Sequence, residues 1–438
     1  MNDELKRLAQ FFPKDKPLYA VGGCVRDKLM GREGGDIDIS SACRIEEVAD
    51  IVKKAGMSYS EGSKRLGTVI IKGQWHYEYT AFRVDSYPDG SGTHTPVDVR
   101  FTDDMSEDAR RRDFTVNALY YDICNDSIVD LLGGRADIES RVLKAVDNPY
   151  RVLSEDGLRI MRLYRFVSTL GFAVEDETAK ASSELSGRLK DIAPERIRDE
   201  LIKTLEGDNA VVALRGLYTC GAMEVILPEL AANGGVEQNA KYHKYDVLEH
   251  SFAAVGYAPK RVRLAALLHD VGKGKCMRRD GNMYKHDQVS ACIAADILKR
   301  LRFPKSEIER TCRLIASHMR DMDGKTRENK MRKFIAANSD IVDDLTDLMY
   351  ADAMATGYGA DKQKCYRMRR IRDQMVDSGI PMSLSQLAVD GQDLIAMGYS
   401  GKEIGETLQS LLDMCIYKIK RNDKEELLDM LNRRRDRQ

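Results

Sequence analysis

The chain has almost no net charge, no Cys-x-x-Cys pair, no apolar run of 18 residues and a single tryptophan. Each shortage excludes something. With Lys+Arg 69 against Asp+Glu 70 there is no global basic excess, so any nucleic-acid surface must be local. The nine cysteines are scattered and odd in number, which argues against a disulfide framework and a zinc ribbon; they read as small apolar residues in a reducing compartment. The lack of a long apolar run excludes a spanning helix. The opening MNDELKRLAQFF has no basic start followed by an apolar stretch, so no secretory signal is expected, and a cytoplasmic location is. What is present is 43% hydrophobic and 32% charged residues, enough for packed cores. At about 150 residues per domain, 438 residues suggest roughly three domains.

Residues 18–130 carry short β-rich runs (LYAVGG, DIDIS, TVIIKG, WHYEYTAFRV, SIVDLL) bounded by Gly, Asp or Ser. Between them CRIEEVADIVKKAG has helical spacing and a terminal glycine. After about residue 145 strand signals nearly vanish. LRIMRLYRFVSTLGF, PERIRDELIKTLEG and AVVALRGLYTCGAMEVI read as amphipathic helices, and the helical pattern continues to the end with breaks near Gly272–Lys275, Asp323–Gly324 and Gly379–Pro381. The expected fold is multidomain α+β, a mixed N-terminal domain followed by an all-α superstructure.

Asp36 and Asp38 flank Ile37 in a β-like run, and period-two alternation puts both carboxylates on one face. Such a pair can hold one or two Mg²⁺ ions that bridge triphosphate oxygens; the alternative is the solvent-facing side of an edge strand. Upstream, Gly22-Gly23 ends a strand and turns into a helix, so backbone N–H groups can approach a phosphate, with Arg26 one turn later as a clamp. An ordinary tight turn has the same pattern. Glu78, on a neighbouring strand, is a candidate third carboxylate. In Arg111-Arg112-Asp113-Phe114-Thr115-Val116-Asn117 the arginines offer charge to a polyphosphate. Asn117, one helical turn after Asp113, can order a loop or a sugar; a salt-bridged exposed helix start is the competing meaning.

GGCVRD, DID, RRDFTVNA and the downstream EDGLR, in that order and spacing, resemble the bacterial-type (class II) tRNA nucleotidyltransferase and poly(A) polymerase family, and within it the branch that adds CCA and carries an HD domain. The resemblance implies a polymerase-β-like nucleotidyltransferase head over 1–145, a helical neck with a base-templating helix over 146–240, an HD metal-binding domain over 241–360 and a helical tRNA-binding tail over 361–438. It makes Asp36 and Asp38 the Mg²⁺ ligands and maps Gly23, Arg26 and Arg112 onto triphosphate or nucleotide contacts; Gly22, Asp113 and Asn117 are candidate nucleotide-binding residues beside them. Cys24 stands where the family usually has Ala.

On a helix, Asp156 and Arg159 of EDGLR are i,i+3 neighbours, and a carboxylate acceptor beside a guanidinium donor can read a base edge. C and A donate an amino hydrogen to the carboxylate; U and G present the opposite polarity. A salt bridge on a solvated helix is the commoner meaning of this spacing. The resemblance implies a protein template for CTP and ATP, with Arg162 and Arg165 holding the triphosphate or the pair's orientation. Between Phe82 and Arg111 lies a long, Gly-rich stretch; relatives use a loop here to add the final A, and its presence favours full CCA addition, although Thr95, beside His94, replaces the usual basic residue.

Five of the seven histidines fall between 243 and 318. Imidazoles with Asp carboxylates suit a divalent ion able to activate water for phosphoester hydrolysis, or a purely structural ion. The order H…HD…D resembles the HD phosphohydrolase superfamily, which implies His250, His269, Asp270 and Asp352 as ligands of a second divalent metal (Mn²⁺, Ni²⁺ or other), with His286 and His318 able to extend the site. Near the C-terminus, Lys362–Arg372 holds six basic residues and no acid, a candidate RNA track or a solvated helix face. The segments around Gly391–Gly398 and Gly401–Gly405 resemble the family's tail, which grips the tRNA elbow by shape. The expected partners are the tRNA 3′ end with its acceptor and elbow region, CTP and ATP, without membrane or DNA. The alternatives are a CC-adding, A-adding or poly(A) polymerase relative and, from another class, a metal-dependent HD phosphohydrolase whose head only binds nucleotide or RNA.

Overall fold

The structure is a computed structural model that describes residues 2–32, 36–87 and 96–435. The chain divides into two compact units, Met1–Ala231 and Ala232–Gln438.

The first unit is organised by a seven-stranded mixed sheet. Its strands are β1 (Tyr19–Val21), β2 (Ile37–Ser41), β3 (Ser58–Glu61), β4 (Thr68–Lys72), β5 (His76–Ala81), β8 (Leu119–Asp122) and β9 (Ser127–Asp130), in the order β3-β4-β5-β2-β1-β8-β9. Only β2 and β5 run parallel. Their register sets Asp38 directly beside Glu78. The run WHYEYTAFRV, which reads as one strand, breaks at Phe82: β6 (Arg83–Ser86) leaves the sheet to pair with β7 (Asp98–Phe101). His94 and Thr95 lie outside the described residues. β3, β7 and β8 carry little sequence signal of their own, and a further parallel pair, β10 (Val142–Leu143) with β11 (Ala173–Val174), lies beyond the region where strands are expected.

Helices α1 (Asp3–Ala9), α2 (Gly23–Leu29), α3 (Ile45–Lys54), α4 (Met105–Arg110) and α5 (Gly134–Ser140) accompany the sheet. α3 forms where sequence places it because Glu47 accepts from the Arg44 N–H at 2.7 Å, acids fill its first turn and lysines its last. One core gathers Leu5, Leu8, Val25, Ile39, Val48, Ile71, Tyr77 and Tyr79, all below 2% exposed. Each such aliphatic side chain contributes about 1.5–3 kcal/mol by leaving water. Tyr79 stays inside because its hydroxyl donates to the Cys43 carbonyl at 2.6 Å.

The remainder of this unit is helical: α6 (Pro149–Glu155), α7 (Leu158–Leu170), α8 (Asp176–Glu184), α9 (Pro194–Glu206), α10 (Ala210–Thr219), α11 (Ala222–Ile226) and α12 (Pro228–Ala231). α6 starts on Pro149, with Asn148 accepting from the N–H groups of Tyr150 and Arg151. α7 stops at Gly171, at φ +69°. The EDGLR segment is not one helix. α6 ends at Glu155, Asp156 is extended at φ −142°, and Arg159 lies in the first turn of α7.

The second unit holds α13 (Val247–Tyr257), α14 (Arg263–Leu268), α15 (Lys273–Asp280), α16 (His286–Arg300), α17 (Lys305–Ser317), α18 (Glu328–Ala337), α19 (Val342–Ala355), α20 (Lys362–Cys365), α21 (Arg367–Asp377), α22 (Gly391–Ala396), α23 (Lys402–Ile416) and α24 (Lys424–Arg435). Three of the six basic residues in the Lys362–Arg372 run are engaged by acids distant in sequence. Arg369 meets Asp343 and Asp347, Arg372 meets Asp343, and Arg367 donates to Asp321 and to the Thr326 carbonyl, so these arginines bind α21 to α19 and its surroundings. The last helices enclose a separate small core of Val389, Leu394, Leu411, Cys415 and Leu427. No helix among the described residues is long and apolar enough to cross a membrane.

Candidate functional site

In the first unit a cavity of about 540 Å³ is lined by eight arginines and no lysine, set against four aspartates. Gly22, Gly23, Arg26, Asp38, Arg112, Asp113, Asn117, Asp156, Arg159, Arg162 and Arg165, each singled out from sequence, all reach it. The tightest turn is at Gly22, whose φ +74° and ψ −132° strain any side chain, so the strand-to-helix reversal is available to glycine and little else. Asp36 lies just before β2 and is exposed; Glu78 flanks Asp38 from β5.

The arginines are held by a continuous network. Arg26 donates to Asn117 Oδ1 at 2.6 Å, Asn117 Nδ2 donates to Asp113 Oδ1 at 3.1 Å, and Arg162 donates to Asp113 Oδ2 at 2.8 Å. Asn117 therefore acts by ordering Arg26, and α2 is tied to α7 through a chain of four side chains. Arg111 and Arg112 stand beyond the end of α4 rather than on a helix. Both pair with the fully buried Asp108, at 2.7 and 3.2 Å, and Tyr120 donates to the same carboxylate at 2.6 Å. Burial works against the Asp108 charge, but Arg111, Arg112 and the Tyr120 hydroxyl hold its carboxyl down at about 2. Arg165 meets Glu200 on α9 at 2.7 Å. Phe166 offers one ring to three guanidinium groups, those of Arg165, Arg26 and Arg162, at 4.2, 5.3 and 5.6 Å from its centroid.

Arg159 meets Asp156 through the backbone, its N–H donating to the Asp156 carbonyl at 3.0 Å, and its side chain is anchored elsewhere. It donates to the Val152 carbonyl at 2.9 Å, the Arg111 carbonyl at 2.6 Å and Glu155 at 3.3 Å, while Asp156 Oδ1 accepts from the Leu158 N–H at 2.9 Å. Both side chains still face the same cavity. Sequence reading missed Tyr87, Arg83, Asp85 and Arg196 as lining residues; none stands in a motif, and only the fold brings them to the others.

Asp38 tests whether a cation suits this site. Its side chain is exposed at the cavity wall, yet desolvation by the surrounding protein, then the carboxylates of Glu78 and, more weakly, Asp36, push its carboxyl upward against the opposing pull of Arg112 and Arg162. Asp38 lines the cavity and feels both neighbouring carboxylates, and carboxylate oxygens are the ligands a divalent ion such as Mg²⁺ takes. Burial, then Asp38, push the Cys24 thiol up to about 11, which disfavours its thiolate.

In the second unit His250 comes from α13, His269 and Asp270 follow α14, His286 opens α16, His318 closes α17 and Asp352 lies on α19. All six are at most 6% exposed. Each Nδ1 faces a backbone carbonyl, Ala355 for His250 (3.2 Å), Ala266 for His269 (2.8 Å), Met283 for His286 (2.9 Å) and Ile315 for His318 (2.7 Å). Carrying its proton there, each ring turns Nε2 inward. His250 and His269 Nε2 lie 3.3 and 3.1 Å from Asp270 and 3.0 and 3.5 Å from Asp352. Burial opposes a charged His269, yet Asp270 and then Asp352 hold its ring up at about 10, so the two carboxylates draw a positive charge to the spot they face. Nothing here is a hydrophobic-core histidine; the donor set fits a divalent first-row ion. The cluster opens on a cavity of about 670 Å³, where Lys273 pairs with Asp270 at 2.7 Å and His243, Tyr242 and Tyr358 complete the wall.

Three family models match the chain: the poly A polymerase head domain over residues 18–144, the probable RNA- and SrmB-binding site of polymerase A over 171–233, and the HD domain over 244–357. A CC-adding tRNA nucleotidyltransferase of Thermus thermophilus is 32% identical over 427 residues, 92% of this chain and 90% of the relative. An A-adding tRNA nucleotidyltransferase of Deinococcus radiodurans is 32% identical over 364 residues, 78% of this chain and 77% of the relative. In fold the chain is similar to the Bacillus stearothermophilus CCA-adding enzyme solved in complex with CTP, with a TM-score of 0.71 at 23% identity, covering 100% of this chain and 99% of that one. The carboxylate-and-arginine cavity, the histidine cluster and this near-full-length similarity give one answer: the chain belongs to the tRNA nucleotidyltransferase and poly(A) polymerase family, in its HD-domain-bearing form.

Proposed function

We propose that this protein adds C, C and A to the 3′ end of tRNA from CTP and ATP without a nucleic-acid template. The observation that carries the reading is a single cavity in which the Asp156 and Arg159 side chains, the Gly22–Gly23 turn, the arginine network and Asp38 meet. Asp36 and Asp38, backed by Glu78, would hold Mg²⁺, which when bound lowers the pKa of the attacking 3′-hydroxyl and stabilises the departing pyrophosphate.

The chain's own residues supply the rest. Arg26, Arg112 and Arg162 are fixed by Asn117, Asp108 and Asp113, so they meet phosphate oxygens without first having to be ordered. Arg165, fixed on Glu200, adds charge from the α7 side. Asp156 accepts the amino hydrogen of C or A. Arg159, anchored by Val152, Glu155 and Arg111, keeps two of its five N–H donors for a ring nitrogen. A U or G in this position sets a carbonyl against the Asp156 carboxylate, and the unpaired acceptors cost about 1–3 kcal/mol or more. Full-length relatives that add CC or only A divide this reaction between them; the intact stretch between Phe82 and Arg111 is the reason for assigning the whole of it here. Residues 361–438 would grip the tRNA elbow by shape, beyond the head (1–145) and neck (146–240) that do the chemistry.

A second reading concerns the HD domain (241–360). His250, His269, Asp270 and Asp352 would hold Mn²⁺, Ni²⁺ or a similar ion for hydrolysis of phosphomonoesters or cyclic phosphates. The inward turn of their nitrogens supports it.

One set of reactions tests both. tRNA truncated at each stage of CCA is incubated with each nucleoside triphosphate separately, and products are sized. Sequential C, C, A addition is expected; extension with UTP or GTP, or arrest at CC, overturns the first reading. With Mn²⁺, opening of a cyclic nucleotide to its monophosphate, or release of phosphate from a phosphomonoester, is expected for the second and lost in His269→Ala; neither product from the unsubstituted protein sinks it.

A further inference from the structure

α16 and α17 pack as a helical hairpin whose connection is only Leu301–Pro304, closed by the Phe303 N–H donating to the Leu298 carbonyl at 2.9 Å. A connection this short makes the two helices antiparallel neighbours. One contact fixes their register: Gln288 Nε2 donates to the Ala316 carbonyl at 2.9 Å. One turn from that contact toward the connection, α16 presents Cys292 and α17 presents Cys312. Antiparallel helices step together, so residues one turn on from a touching pair meet again on the same faces. Ala291 and Ala295 flank Cys292 on its stripe of α16, and Ala316 stands opposite Gln288; side chains this small let helix backbones approach closely. After burial, the groups that act on the Cys312 thiol are Cys292, Lys299 and Asp296, all from this one stripe, and the balance pushes the thiol up. Five of the other seven cysteines are buried, whereas Cys292 is exposed and Cys312 half-buried at the seam.

We propose that Cys292 and Cys312 form a reversible redox pair that staples α16 to α17. The co-reactant is a small-molecule disulfide such as oxidised glutathione. The exposed Cys292 loses its proton and its sulfur attacks one sulfur of that disulfide; the S–S bond breaks, and one thiolate leaves and takes up a proton. Cys312 then loses its proton, attacks the Cys292 sulfur of the mixed disulfide and releases the second small thiol. Two protein thiols are oxidised by two electrons, and one small disulfide is reduced to two thiols. In a reducing compartment the thiol form predominates, and the staple closes when the small disulfide accumulates. The bond also has something to act on. His286 opens α16 and His318 closes α17, facing Asp270 Oδ1 at 3.1 and 3.9 Å, and the staple ties together the two helices that carry them.

The test uses the full chain, incubated with oxidised glutathione, digested without reduction and mapped by mass spectrometry beside Cys292→Ser and Cys312→Ser. A peptide pair joined through 292 and 312, lighter by two hydrogens and separated by dithiothreitol, is expected in the parent. Cys312→Ser is expected to stop at a glutathione adduct on Cys292. The joined form should melt about 5 °C above the reduced one, because the bond closes a loop in the unfolded chain. Cys292→Ser should melt at the same temperature with and without oxidant. An adduct on Cys292 of the parent with Cys312 still free overturns the pairing, as does a cross-link to Cys124 or no reaction at either residue. A joined form that melts no higher overturns the staple. The map of the parent needs no substitution, so a variant that fails to fold leaves the test intact.

Discussion

The arginine-lined cavity of the first unit and the histidine cluster of the second solve charge in opposite ways. The cavity collects long side chains from many elements and fixes them with one another: Asp108 orders two arginines, Asp113 orders Arg162 directly and Arg26 through Asn117, and one phenylalanine ring carries three guanidinium groups. The cluster collects short side chains, each histidine held by a backbone carbonyl, and leaves the inner nitrogens of His286 and His318 without a hydrogen-bond partner. The first arrangement answers its arginines with its own acids and amide; the second turns donor atoms toward a common point and admits little adjustment.

That contrast can be broken at its strongest point first. Asp38→Ala removes the carboxylate that the cavity offers to a cation, and incorporation is expected to fall by roughly a thousandfold or more, about 4 kcal/mol of barrier. tRNA binding, followed by filter retention, and the Mn²⁺-induced rise in melting temperature of the histidine cluster should both be unchanged; a lost thermal shift would mean that the two sites are not separate in metal binding.

Asp108→Asn addresses the self-satisfied character of the cavity. With Arg111 and Arg112 left near a neutral amide inside the fold, stability at pH 7 should drop by about 3 kcal/mol. The carboxyl of Asp108 is depressed to about 2, so its contribution is full above the unfolded value near 4 and is lost as the pH falls through 2. Urea midpoints should therefore decline from pH 4 to pH 2.5 less steeply in the variant than in the parent. Parallel curves would deny Asp108 its role.

Phe166→Leu is the mildest and the most discriminating. It keeps an apolar filler but takes the aromatic face from Arg26, Arg162 and Arg165. At about 0.5–1 kcal/mol for each of three stacked guanidinium groups, KM for the triphosphates should rise roughly ten- to hundredfold with little change in kcat, alongside a drop of a few degrees in melting temperature. An unaltered KM would show that the aspartates alone position these arginines.

Several features of these sites were legible in the residues themselves. The Gly22–Gly23 reversal, the Asp-x-Asp carboxylates, the EDGLR stretch and the crowded histidines each carry a chemical type at a spacing that limits what it can do. The helix over CRIEEVADIVKKAG and the α7 and α9 segments follow from periodicity and end signals. Other parts were not legible. β8 (LYYD) is fully buried, so it lacks the alternation that marks a half-buried strand. The Lys362–Arg372 run looks like an RNA track until Asp321, Asp343 and Asp347, distant in sequence, pair with its arginines.

The sequence by itself determined the kind of chemistry and the segments that bear it, because period-two and 3.6-residue repeats and glycine turns are local consequences of backbone geometry. Only the tertiary structure decided how those segments meet. It set Glu78 against Asp38 across a parallel strand pair, separated Asp156 from Arg159 at a helix junction, and turned the two oxygens of Asp270 toward different histidines. Such relations depend on burial and on partners tens to hundreds of residues away, which no local pattern encodes.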